Sequence, residues 1–162
     1  MTFIKKSSLF SGTIVLISAL LLITLIQTCK DGSDNPAIPY VNITIDPNST
    51  IYQQINIVGG WIYLGESDGV MPPSRGVIVY RQTMDQFTAL ERTPVYKPDS
   101  CCSANHTNCS RLVVDSYYPY VMDTCTDSKY LIIDGSPVSG PSSLPLMQFV
   151  ADYDGLLLHI HN

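Results

Sequence analysis

The sequence predicts an all-β domain, an antiparallel sandwich or barrel. Short apolar runs rich in β-branched and aromatic residues recur at regular intervals along the chain. Turn residues separate them, including Asp134-Gly135, Ser139-Gly140-Pro141 and Asp154-Gly155. Beyond residue 38, no window of a dozen residues holds apolar side chains at three-to-four spacing without a Gly or Pro intervening, so no helix is expected.

Taken in order, the expected strands are YVNITI (40–45), IYQQINI (51–57), WIYL (61–64), GVIVYR (76–81), FTALER (87–92), RLVVD (111–115), YPYVM (118–122), KYLIID (129–134), LMQFVADY (146–153) and GLLLHIH (155–161). A further short strand follows the Asp134-Gly135 turn and ends at Ser139-Gly140-Pro141. In the last hairpin Asp154-Gly155 supplies the turn. Strand alternation then points Leu156, Leu158 and Ile160 one way and Leu157, His159 and His161 the other. The one long connection is residues 93–110, TPVYKPDSCCSANHTNCS. A loop of that length in a compact β domain is usually functional or covalently stapled.

Ahead of the domain, Lys5 and Lys6 precede an uncharged apolar run from Leu9 to Ile26, the pattern of an export signal. The run is long enough to border on a spanning helix. Cys29 directly after it, in LIQTCKDGSDNP, fits a lipoprotein signal whose cysteine becomes the acylated first residue; an uncleaved signal anchor is the rival. The expected organisation is a signal peptide over 1–28, a lipidated tether over 29–38 and one β domain over 39–162. That implies a cell-envelope protein, periplasmic or surface-exposed, with the membrane as a partner through its lipid. The formal net charge of −5 provides no basic patch for nucleic acid. Four sequons, at Asn42, Asn48, Asn105 and Asn108, matter only in a host that glycosylates exported chains.

Three segments fall into one pattern: GGWIYL, then RGVIVYRQTMDQFTALERTPVYKP, then a cysteine-bearing loop followed by KYLIIDGSPVSGPSSLPLMQF. Over about residues 57–160 this resembles the Rieske [2Fe–2S] family, particularly the small Rieske-like domains of bacterial lipoproteins. The D-G-S-P-V-S-G-P-x-x-x-P-L run is its most specific part. The resemblance implies a Rieske-like antiparallel β-sandwich with a small tip subdomain, in which two loops each supply one Cys and one His to the cluster. The implied ligand positions are occupied here by Pro94 and Lys97 in the first loop and by Asp123 and Thr126 in the second. Such a centre needs two thiolates on one iron and two imidazoles on the other, and none of these four residues supplies either. The expectation is a degenerate member without a cofactor, a non-catalytic binding or structural module with an unidentified protein or ligand partner. The alternative is a genuine [2Fe–2S] electron-transfer protein or redox subunit.

By the same resemblance, Cys125 falls on the second-loop cysteine that is not an iron ligand but forms a disulfide to the first loop. Cys101, Cys102 and Cys109 are its possible partners. With Cys29 lipidated, the other four cysteines make an even set in an oxidising compartment, and two bridges are expected. A vicinal Cys101–Cys102 bond would be strained, so one of that pair is expected to bond Cys109 and the other Cys125. Loop entropy assigns about 2.5 kcal/mol to the short bridge and about 3.4 kcal/mol to the long one.

Other chemistries are weaker. CCSANHTNC, with Cys101, Cys102, His106 and Cys109, is a candidate zinc segment, but adjacent cysteines ligate one ion awkwardly and exported thiols are usually oxidised. An unusual cluster on Cys101, Cys102, Cys109 and Cys125 faces the same objection. No base is placed by spacing to activate Cys125 as a nucleophile. His159 and His161 share a strand face and read as a solvated edge rather than a metal site. Asp123 and Asp127 match no calcium loop and read as surface charges. No Ser-His-Asp set, carboxylate pair or phosphate loop is present, so catalysis is not expected.

Overall fold

The structure is a computed structural model and describes residues 38–162. The apolar N-terminal run, the expected lipidation site Cys29 and the tether up to residue 37 lie outside the described residues. Among the described residues, ten antiparallel strands form two sheets. They are β1 (Asn42–Ile45), β2 (Trp61–Leu64), β3 (Val77–Arg81), β4 (Phe87–Glu91), β5 (Val113–Val114), β6 (Tyr120–Asp123), β7 (Ser128–Leu131), β8 (Pro137–Ser139), β9 (Gln148–Tyr153) and β10 (Leu158–His161). The larger sheet runs β1-β10-β9-β4-β3-β2, and the smaller runs β5-β6-β7-β8. The all-β class is therefore as expected.

β3 and β4 hold the molecule together. Their runs VIVYR and FTALE are buried at every position, as strands covered on both faces must be. Alternation sends Val77 and Val79 of β3, with Phe87 and Ala89 of β4, into one core beside Ile43, Leu158 and Ile160. It sends Ile78, Tyr80 and Leu90 into a second core, shared with Val121, Tyr130 and Ile132 of the smaller sheet and its loop. Two layers of side chains are thus hung on one pair of strands.

Several expectations need correction. Residues 51–57 do not form a strand: Thr50–Ile55 is a 3₁₀ helix, a second covers Glu66–Asp68, and only Ile55 of the first is buried. Asp46-Pro47-Asn48-Ser49 makes a turn in which Asp46 accepts the Asn48 N–H and its carbonyl accepts the Ser49 hydroxyl, and this launches the chain helically. At the far end the buried Arg81 guanidinium of β3 takes the carbonyls of Ile55 and Asn56. Those acceptors are satisfied without a neighbouring strand. Leu156 is 63% exposed because it sits in the β9–β10 turn rather than in β10. Of the run 111–115, only Val113 and Val114 pair.

Candidate functional site

The site is built where two loops meet at the end of the smaller sheet. Residues 93–110 contain no regular element, as expected, and run from the end of β4 towards β5. Their base is fixed by Glu91, 2% exposed, whose carboxylate accepts from the Thr93 amide and hydroxyl, the Ser74 hydroxyl and the Arg75 amide. A buried charge with four donors is satisfied in place, and here it sets the position of Arg75. The Arg75 guanidinium then donates to the carbonyls of Pro98 (2.7 Å) and Ser110 (3.0 Å), tying the interior of the loop to its far end. It also pairs with Asp99 at 2.7 Å and lies 3.8 Å from Cys102 Sγ.

The second loop is the β6–β7 turn, Asp123 to Ser128. Two disulfides close the site: Cys101–Cys125 joins the two loops, and Cys102–Cys109 pinches the first. This is one of the two pairings left open by the sequence. The Ser100 hydroxyl lies 3.1 Å from Cys125 Sγ.

The four implied cluster positions are spread between burial and solvent. Pro94 is buried. Lys97 is exposed, has a φ of 46°, and forms no ion pair among the described residues. Its carbonyl accepts the Ser100 amide and hydroxyl. Asp123, expected at the surface, is 1% exposed instead. Its carboxylate accepts the Cys125 amide at 3.0 Å and the Thr126 hydroxyl at 2.6 Å, and that hydroxyl lies 2.9 Å from Ser128 Oγ. Asp123 and Thr126 are thus brought together as a turn-stabilising pair. These four donors do not fit a [2Fe–2S] centre: a pyrrolidine, an ammonium, a carboxylate and a hydroxyl replace two thiolates and two imidazoles.

A different set does converge. One ligand atom from each of Asp99, Cys102, His106 and Cys109 lies within 4.8 Å of the others. Sequence reading named three of them and missed Asp99. The signal available was its place three residues before Cys102; in the structure Asp99 Oδ1 accepts from Arg75 and lies 3.5 Å from Cys102 Sγ. Beside this set opens a cleft of about 480 Å³ lined by Pro72, Arg75, His106, Cys109 and Arg111 among others. A second cavity, of about 200 Å³, shares Pro73, Arg75 and Asp99 with the first and is lined also by Pro39, Thr93 and Met147. His159 and His161 do not converge: His159 Nδ1 lies 3.0 Å from the Thr44 hydroxyl, and His161 Nε2 lies 3.2 Å from Asp152.

No family model matches the chain, and no curated protein matches it. Among solved structures, it is similar to a chain of the complex of reduced oxygenase and oxidized ferredoxin in carbazole 1,9a-dioxygenase. That likeness has a TM-score of 0.43 at 15% identity and covers 75% of this chain and 92% of that one. Likeness at this level identifies neither a shared activity nor a shared cofactor.

Proposed function

We propose that the chain is a non-catalytic binding or structural module of the cell envelope, held at the membrane by a lipid on Cys29, with its tip closed by a disulfide where the Rieske family holds a cluster. The observation that carries this reading is the pair Cys101–Cys125 and Asp123. The bridge ties the two loops together, and the buried carboxylate is spent on the Cys125 amide and the Thr126 hydroxyl. The tip then presents a polar, clamped surface around Arg75 and Arg111, with an adjoining cleft large enough for a peptide side chain or small molecule.

Two measurements test the two halves of the reading. The full chain, produced with iron and sulfide available, is expected to contain no iron by elemental analysis and to show no visible absorption band. Two irons per chain, with an electron-spin signal after reduction, would make it an electron carrier. Cys29→Ser is expected to release the domain from the membrane or to leave an uncleaved precursor. Normal processing and retention of that variant would sink the lipid anchor.

A further inference from the structure

We propose that Cys102 and Cys109, once reduced, form with His106 and Asp99 a four-coordinate site for a thiophilic divalent cation, zinc being the ion whose chemistry the donors fit best. Two thiolates, an imidazole and a carboxylate are all zinc ligands, and zinc imposes no geometric preference beyond a tetrahedron. At zinc's usual bond lengths, a tetrahedron separates its donors by roughly 3.3–3.8 Å. The four ligand atoms already lie within 4.8 Å of one another while the sulfurs are still bonded. Opening that bond lets the sulfurs move apart towards the edge of such a tetrahedron.

The local backbone favours the arrangement. The spacing D-x₂-C-x₃-H-x₂-C keeps the donors in one compact segment, folded by bonds from the Cys102 amide to the Asp99 carbonyl, from the His106 amide to the Ser103 carbonyl and from the Ser103 amide to the Asn108 carbonyl. None of these bonds involves a ligand side chain, so the scaffold persists when the disulfide opens. Arg75 supplies the supporting contact: it donates to Asp99 Oδ1, the oxygen that lies 3.5 Å from Cys102 Sγ, and so holds that carboxylate beside the sulfurs. Its positive charge, added to that of the ion, balances two thiolates and a carboxylate. The open cleft beside His106 and Cys109 is the entry path.

The chemistry balances with a dithiol as reductant. Two electrons and two protons pass from the dithiol to the Cys102–Cys109 bond, giving two protein thiols, and the dithiol closes to its own disulfide. Binding of the divalent cation then releases both thiol protons to solvent. The site is therefore closed to metal in the oxidised protein and open in the reduced one.

The test uses the full chain with cobalt(II) as a spectroscopic stand-in for zinc. The oxidised chain is expected to bind none. The dithiol-reduced chain is expected to take up one equivalent, with thiolate-to-cobalt charge-transfer absorption, and zinc should displace it. His106→Ala and Asp99→Ala should each weaken binding by about tenfold or more, as should Arg75→Ala through the contact it makes to Asp99. To separate metal binding from unfolding of the tip on reduction, a second measurement maps alkylation of the four cysteines with and without zinc. Protection confined to Cys102 and Cys109 supports the site. No cobalt uptake after reduction, uptake unaffected by His106→Ala, or equal alkylation of all four cysteines in zinc would overturn it.

Discussion

Asp123 has its meaning reversed by its neighbours. Between an apolar strand and a polar loop it reads as a surface charge, yet it is buried against the Cys125 amide and the Thr126 hydroxyl. Spacing alone cannot reveal that, because the burial comes from the turn folding its own donors, the Cys125 amide and the Thr126 hydroxyl, onto the carboxylate. Asp123→Ala strands two donors and should cost about 1–3 kcal/mol in urea denaturation, whereas a surface carboxylate would cost almost nothing. Asp154 shows the opposite case, a carboxylate whose role the turn sequence did announce. It accepts the Leu157 and Leu156 amides, and these bonds, the Leu157 one foremost, hold its carboxyl below the ordinary carboxylate range. With the folded pKa depressed, the unfolded chain binds the proton more readily. The contribution is present above the unfolded pKa of about 3.9 and is lost as pH falls through the folded one. Melting curves of Asp154→Ala should lie below those of the parent near neutrality and converge with them in acid; a gap independent of pH would refute the linkage.

Elements were legible where a strand has one wet face or two dry ones. The runs VIVYR and FTALE could only be buried strands, and LHIH alternates as expected, with Leu158 and Ile160 inside. IYQQINI has three apolar residues among its four odd positions and is still not a strand; the carbonyls of Ile55 and Asn56 near its end are met by Arg81, 26 positions away from Ile55. The β7–β8 turn is a sharper test of turn chemistry. Gly135 has a φ of 68°, and an added Cβ would lie 2.9 Å from Leu146 Cβ and 3.2 Å from Leu90 Cδ2, inside the second core. Gly135→Ala combines left-handed strain with a clash and should lose more than about 1 kcal/mol. The same substitution at Gly155, also at positive φ but in open space, should cost less. For the loops, the Cys101–Cys125 closure spans a sequence separation of 24, and the double variant Cys101→Ser with Cys125→Ser should lose about 3.4 kcal/mol of stability if the chain-entropy model holds.

At the scale of the whole domain, the decisive feature is that the two cores share β3 and β4. A tip built as a separate unit could melt alone and leave the larger sheet standing. Here one face of β3 and β4 lines the core with Leu158 and Ile160, and the other lines the core that carries the smaller sheet. Losing either layer exposes the strands that support the other, so base and tip should unfold in one transition. The single tryptophan makes this measurable, since Trp61 packs against the second core. Ile160 is fully buried in the first core, on β10, across the sheet from β2. Ile160→Ala truncates a side chain of the first core, not of the core against which Trp61 packs, and should still destabilise by about 2–5 kcal/mol. Under non-reducing conditions, its urea midpoint followed by Trp61 fluorescence should shift as far as the midpoint followed by far-ultraviolet circular dichroism. A fluorescence midpoint that stays where the parent has it, while the circular dichroism midpoint falls, would mean that the second core around Trp61 unfolds separately from the β10 side of the larger sheet.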